Sequence, residues 1–211
     1  EKGRLRNYFH IGTGNYNSLT SKFYTDVGLL STDNEIASDL IELFNYLSGF
    51  AKQKDYKKLL VSPFSMRKKF ISFIERETIN AKSGKKGEII AKMNSLVDPE
   101  IIELLYRASK SGVQIKLIVR GICCLYPKRE NLSENITVIS IIGHFLEHSR
   151  IFWFYNDGKP EAYLGSADWM RRNLDRRIEA VTPIENKQLK EQLHQLLPVS
   201  YTHLRAHETR P

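Results

Sequence analysis

Cysteine is nearly missing from this chain: it has 2 in 211 residues, Cys123 and Cys124, and they are adjacent. Neighbouring cysteines have poor geometry for a mutual disulfide, and two thiols without a matching Cys/His pair make no zinc site. A disulfide scaffold is excluded, and the pair reads as small buried thiols in a reducing compartment. Nowhere does an apolar run reach the ~18 residues of a membrane-spanning helix. A signal-peptide pattern is missing, and so is an initiator methionine; Glu1-Lys2-Gly3-Arg4 reads as the interior of a longer chain. Acidic residues are the minority, 24 against 32 Lys and Arg, for a formal net charge of +8. That balance favours an anionic partner: nucleic acid, an acidic membrane surface or a polyanion.

With 41% hydrophobic residues the chain can bury a real core. Residues 5–11 alternate enough for a strand, and Gly12-Thr13-Gly14-Asn15 forms a turn after it. Asp33 can cap a helix reaching Phe50, with Ile36, Leu40, Leu43, Phe44 and Leu47 at helical spacing. Gly49 and the basic run Lys52 to Lys58 then mark a boundary.

From Leu59 strands and helices alternate. Strands are predicted over 59–63, 88–93, 113–119, 136–142, 148–155, 161–165 and 177–181, and helices over 66–82, 99–111 and 187–197. The pattern implies an α/β fold, a mixed sheet flanked by helices. Residues 199–211 have no apolar period and are expected to end the last helix as a non-native tail. His203 and His207 lie four apart within it, but without a third ligand they make no metal site.

Two stretches carry the chemistry. His148-Ser149-Arg150 runs into the apolar strand Ile151-Phe152-Trp153-Phe154, so imidazole and guanidinium, two residues apart, share a side of the sheet. Gly165-Ser166-Ala167-Asp168-Trp169 follows, offering a small hydroxyl and open backbone N–H groups. Together they suit a phosphoryl group beside a histidine that can hold or release a proton near neutral pH. Arg120 closes the strand 113–119 and precedes Gly121, placing a planar, bidentate cation where α/β sites gather. Gly12 and Gly14, before Asn15, allow close backbone approach to an anion.

The spacing resembles the second half of a phospholipase-D-type histidine site, His-x-Lys followed by Gly-Ser-x-Asn, with Arg150 in place of lysine and Asp168 in place of asparagine. Six motifs extend the resemblance: 8-YFHIGTGNYN-17, 23-FYTD-26, 92-KMNSLVD-98, 119-VRGICC-124, 145-FLEHSR-150 and 166-SADWMRRNLDRR-177. In this order they resemble the carboxy-terminal half of bacterial polyphosphate kinase of the first, histidine-phosphorylating family, over about residues 4–198.

The resemblance implies a phospholipase-D-like architecture: the end of one catalytic domain over 1–57 and a second, complete one over 58–198. It implies reversible transfer of the ATP γ-phosphate to polyphosphate through a phosphohistidine that lies upstream of His10, outside this sequence, and an isolated fragment that does not turn over. His148 is then catalytic and contacts nucleotide phosphate, and His10 is catalytic or positions the site. Tyr24, by packing on the adenine, Asp26 and Arg120 bind ATP. Gly12, Gly14, Asn15, Lys92, Arg150, Ser166, Arg171, Arg172 and Arg176 meet phosphate or polyphosphate, with Arg177 in the same cationic set. Asp98, Asp168 and Asp175 orient these arginines. No metal ligand is assigned; Mg2+ arrives with ATP, its family ligands lying upstream.

The expected partners are ATP, ADP, polyphosphate and further copies of the same chain, in the cytoplasm or peripherally at the inner membrane face. The alternatives are a phosphodiesterase of the phospholipase D superfamily or a basic nucleic-acid-binding module. The latter needs exposed stacking aromatics, whereas Phe152 and Trp153 lie in a run that reads as buried.

Overall fold

A computed structural model describes residues 6–50, 52, 55–141 and 144–202 of the chain. The first segment builds β1 (Phe9–Gly12), β2 (Tyr24–Thr25), β3 (Gly28–Ser31) and α1 (Asn34–Leu47). β1 and β3 pair antiparallel, His10 opposite Leu30. Asp33 caps α1 as expected, accepting from the N–H groups of Glu35 and Ile36 at 3.0 and 2.9 Å. The helix stops at Leu47 rather than Phe50, because Gly49 turns the chain with a φ of +78°. Buried Asp39 then accepts from the backbone N–H groups of Lys57, Lys58 and Leu59 at 3.0, 2.7 and 2.9 Å. One carboxylate of α1 thus fixes where the following strand begins.

That strand is β4 (Leu60–Ser62), followed by α2 (Met66–Lys82), β5 (Glu88–Met93), α3 (Pro99–Lys110), β6 (Gln114–Val119) and β7 (Ile136–Ile139). Then come β8 (Leu146–Glu147), β9 (Ile151–Phe154), β10 (Glu161–Gly165), β11 (Glu179–Pro183) and α4 (Lys187–Thr202). Seven of these strands form one mixed sheet in the order β4-β11-β10-β9-β5-β6-β7. β5, β6 and β7 are parallel, and the neighbours on the other side alternate in direction.

Alternation along the strands divides the core between the two faces. Ile89, Ala91, Met93, Phe152 and Phe154 face α2 and α3, where Phe70, Phe73, Leu104 and Leu105 meet them. Ile90, Ile151, Trp153 and Leu164 face the other way, under Leu193 and Leu197 of α4 and under Val27 and Leu29 of the first segment. Three rings form the centre of the first face. Phe70 lies 4.6 Å from Phe152 and 5.6 Å from Trp169, and Phe152 lies 5.3 Å from Trp169, centroid to centroid.

The structure departs from the sequence-based expectations at further points: the strand expected over 136–142 ends at Ile139, and of the two cysteines expected to be buried Cys123 is half-buried and Cys124 exposed. The strand expected from His148 begins at Ile151, because the His148 backbone N–H is taken by Thr25 O of the first segment. The strand expected over 177–181 runs Glu179–Pro183. β3 and the two-residue parallel bridge β2·β8, with Tyr24 opposite Leu146, were not foreseen. α4 does not end at Leu197 but continues through Pro198 to Thr202, since a proline removes one donor without forbidding the next turn. Residues 203–211, with His203 and His207, lie outside the described residues.

Phe70→Ala is expected to remove roughly 3–5 kcal/mol of stability by emptying the three-ring cluster. Denaturant unfolding checks this, and a loss below about 1 kcal/mol would mean that the cluster collapses around the void.

Candidate active site

The sheet gathers the candidate residues at one end. Asn94 follows β5 and Arg120 follows β6, while Arg150 immediately precedes β9 and Ser166 follows β10. Because β9 runs antiparallel to β5 and β10, its start lies beside their ends. The crevice beyond the carboxyl ends of strands is where open α/β sheets place ligands.

His148 stands between the first segment and the sheet. Its Nδ1 lies 2.9 Å from Asp26 Oδ1, and its backbone N–H donates to Thr25 O at 3.1 Å. A carboxylate only accepts, so Nδ1 carries the proton and Nε2 is left as the chemically free nitrogen. Thr13 secures Asp26 in turn, its hydroxyl donating to Oδ1 at 2.6 Å. Tyr24 stacks on the imidazole with centroids 4.9 Å apart and planes 30° from parallel. One face of Tyr24 is therefore occupied, and any base stacking must use the opposite face.

Arg150 lies against the same imidazole, and the side chain is buried. Its Nη1 donates to the carbonyls of His148 at 2.8 Å and Thr13 at 3.2 Å. Both Nη1 protons are thus committed to carbonyls, and the ring nitrogens 3.0 and 3.2 Å away are packed against rather than bonded. Nε and Nη2 reach Asp168 at 3.2 and 3.4 Å. Arg150 and Asp168, the two departures from the lysine and asparagine of the superfamily pattern, are therefore partners. Asp168 also accepts from Asn94 N–H at 2.8 Å. The Asn94 side chain accepts from Arg120 Nε at 2.7 Å, which completes a chain of contacts from Arg120 to His148.

Other expected residues sit differently. Lys92 is buried, and its ammonium donates to Glu147 at 2.6 Å, so its charge anchors β8 beside His148 instead of facing a ligand. The space left by Gly14 is taken by Asp26, whose Oδ2 would lie 2.9 Å from an added Cβ. Tyr16 fills the space over Gly12 and hydrogen-bonds His10, which is exposed on β1 and turned to Tyr16 rather than to His148. Burial and the Asp26 charge push the Tyr16 hydroxyl pKa up. Asn15 is exposed and its side chain closes a local turn on Asn17 N–H at 3.2 Å. Ser166 gives its hydroxyl proton to Glu179. Gly165 is needed for close strand packing, since a Cβ there would fall 2.3 Å from Ala180 O.

Arg171, Arg172, Arg176 and Arg177 are all exposed around a π-helical turn at Arg172–Arg176. Asp98 and Asp175 do not orient them by direct bonds. Both hold Arg67, which the sequence reading missed: Nη2 and Nη1 reach Asp98 at 2.7 and 3.0 Å, and Nε and Nη2 reach Asp175 at 2.6 and 2.7 Å. Glu100 adds a third carboxylate at 2.7 Å. One guanidinium thereby ties α2, the cap of α3 and the arginine-bearing turn together. Burial works against the ionised Asp98, but Arg67 and the Ile101 N–H outweigh it and hold its carboxyl below the usual range. Asn94 and Thr13 were likewise quoted only as motif letters; their position directly at strand ends was the available signal.

The donor set does not fit a resident magnesium ion. Among the described residues no three His, Cys, Asp or Glu side chains converge, and Asp26 and Asp168 are already engaged by His148, Thr13, Arg150 and Asn94. Among the described residues no helix is long and apolar enough to cross a membrane.

A mixed sheet flanked by helices, with His148, Arg150 and Arg120 gathered beyond one strand end, defines an α/β domain. Comparison with known proteins sharpens the class. A family profile described as polyphosphate kinase C-terminal domain 2 matches residues 59–206, and one described as C-terminal domain 1 matches residues 1–53. The chain belongs to the polyphosphate kinase family. It is 62% identical over 197 residues to the polyphosphate kinase of Parasynechococcus marenigrum and 64% identical over 197 residues to that of Prochlorococcus marinus. These matches cover 93% of this chain and 28% of each relative, so the chain spans under a third of their length. The crystal structure of polyphosphate kinase from Porphyromonas gingivalis superposes with a TM-score of 0.90 at 40% identity, covering 95% of this chain and 31% of that one.

Arg67→Met is expected to cost about 3–5 kcal/mol by leaving buried Asp98 unpaired. Because the folded-state pKa of Asp98 is depressed, its contribution is present above the unfolded value near 4 and is lost as pH falls through the folded one. In the variant burial is opposed only by the Ile101 N–H and the Arg171 charge, so the carboxyl is held down less and acid unfolding begins at a higher pH. Unfolding midpoints from pH 3 to 7 test this, and an unchanged acid limb would refute it.

Proposed function

We propose that this segment supplies the second histidine half of a polyphosphate kinase, which moves the γ-phosphoryl group of ATP reversibly to the end of inorganic polyphosphate. The observation that carries the reading is the pairing of His148 with Asp26 and Arg150 at the strand end that also bears Arg120. In the proposed reaction a histidine upstream of this sequence attacks the γ-phosphorus, the bond to the β–γ bridging oxygen breaks, and ADP leaves. A terminal phosphate oxygen of polyphosphate then attacks the phosphohistidine and releases the imidazole. A histidine nucleophile divides one reaction between two polyanions into two in-line steps.

His148, with Nδ1–H held by Asp26, aims Nε2 at the oxygen on which charge develops. It stabilises or protonates that oxygen as the imidazolium, with a second proton on Nε2 that is passed to the oxygen to leave the neutral Nδ1–H ring. Arg150 adds a fixed positive charge next to that ring. Arg120 suits bidentate contact with nucleotide phosphate, and Tyr24 offers its free face to the base. The exposed Arg171, Arg172 and Arg176 suit a polyanion that carries about one charge per phosphate. Magnesium accompanies ATP as part of the substrate, with its protein ligands outside this segment. Oligomer formation and a cytoplasmic setting follow from the family likeness and belong to the same proposal.

His148→Ala in the full-length protein is expected to lower kcat by about 10²- to 10⁴-fold in ATP-dependent polyphosphate synthesis. Activity within threefold of the parent would end the proposal. Asp26→Asn is expected to fall short of the parent by a similar factor, since an amide no longer enforces the Nδ1–H tautomer. Arg171→Gln with Arg172→Gln is expected to weaken polyphosphate binding and flatten its dependence on log[salt] by about one to two slope units. Equal binding of single-stranded DNA and polyphosphate by the parent would favour the nucleic-acid reading instead.

A further inference from the structure

We propose that Asn94 is a positioning residue that aims Arg120 at the phosphates of the nucleotide. The inference rests on the reading of Arg120 as a nucleotide contact and adds a residue that governs it. Asn94 and Arg120 are the first residues beyond two paired parallel strands, with Met93 opposite Val119. Arg120 N–H donates to Met93 O at 3.2 Å, and Gly121 N–H donates to Asn94 O at 2.8 Å. The approach is close enough that a Cβ on Gly121 would lie 2.9 Å from that carbonyl. The two side chains therefore leave the sheet side by side, from a backbone that cannot slip.

Between them runs one hydrogen bond, Arg120 Nε to Asn94 Oδ1 at 2.7 Å. Arginine has only donors, so the amide must present its oxygen. With Nε committed on the inner edge, the outer edge of the guanidinium, Nη1 with Nη2, is the part left to address a bidentate anion. Asn94 itself is 4% exposed, and its Nδ2 has no hydrogen-bond partner among the described residues. A site needing only packing would be better filled by an apolar side chain, because a buried unpaired N–H is unfavourable. The acceptor given to Arg120 is what the amide contributes here.

The link to the other half of the site uses different atoms. The Asn94 backbone N–H, not its side chain, donates to Asp168, which holds Arg150 beside His148. Replacing the side chain leaves that connection in place, so the effect should be confined to Arg120. This separates a positioning role from general loosening of the site.

The experiment is a double-mutant cycle in a full-length polyphosphate kinase carrying this segment, with Asn94→Ala, Arg120→Ala and the pair, read as KM for ATP and kcat. Asn94→Ala is expected to raise KM for ATP about tenfold with a smaller change in kcat, as for a lost hydrogen bond to a charged group. In the Arg120→Ala background the same substitution is expected to change KM less than twofold, since contacting residues that act through each other are not additive. Asn94→Asp, which restores an acceptor in the same shape, should recover part of the loss. Should Asn94→Ala not fold, Asn94→Leu, of similar volume and without an acceptor, carries the same comparison.

Effects that multiply in the double variant, or no change of KM in Asn94→Ala while Arg120→Ala raises it, would overturn the positioning role alone. No change of KM in Arg120→Ala would overturn the nucleotide-contact reading and this proposal together.

Discussion

A single buried guanidinium holds the site together. Arg150 is 8% exposed, and isolated ions of that kind are not tolerated inside proteins. Its charge is answered by the Asp168 carboxylate from the sheet, its own neighbour's carbonyl at His148, and the Thr13 carbonyl from the first segment. Removing one partner of such a buried pair generally costs about 3–5 kcal/mol, because the other charge is left uncompensated. Thr13, Asp26, His148 and Asp168 are therefore fixed relative to one another by the requirement to keep Arg150 satisfied. Just before the strand, the His148 backbone N–H donates to Thr25 O, so the chain there follows the first segment while the Arg150 carbonyl still accepts from Gly165 N–H of β10.

A second cluster repeats the logic on the outer rim, with three carboxylates in place of one. Three carboxylates, Asp98, Glu100 and Asp175, converge on Arg67 at the start of α2. The exposed arginines of the π-helical turn stand on this clamp, not on direct pairs of their own. In the polyphosphate kinase family reading, inner and outer cations thus have different support: Arg150 and Arg120 are bound into a hydrogen-bonded interior, whereas Arg171, Arg172 and Arg176 are displayed to solvent.

Much of the fold was legible in the sequence. α3 was plain as a helix opened by Pro99, and the parallel strands as short apolar runs; that Asp98 caps α3 emerged only from the folded chain. The α/β class followed from their alternation. Where the reading failed, the deciding partner was remote in sequence. β2 and β8 are two residues each and pair only with one another, so neither has a pattern of its own.

The site was half legible. His148, Arg150, Asp168 and Arg120 were singled out by residue type and strand-end position, and the folded chain places all four at one end of the sheet. Gly12 and Gly14 were read as anion cradles, but the space they leave is filled by Tyr16 and Asp26, which only the folded chain brings there. Lys92 looked like a free cation and is neutralised by Glu147, 55 positions away. Asn94 gave the same signal as Arg120, a polar residue at the end of an apolar strand, yet an amide attracts less notice than a guanidinium.

The bond between Asp26 and His148 joins residues 122 positions apart, and that between Thr13 and Arg150 spans 137. Closing loops of that length is entropically slow, whereas neighbouring β5, α3 and β6 need only short-range encounters. The scaffold can therefore assemble early while the imidazole and its carboxylate are still strangers. A ribosome must deliver residue 148 before the dyad can exist, so a nascent chain can carry the parallel β5, β6 and β7 while the imidazole, and the strands β9 to β11 that complete the sheet behind it, are still to come.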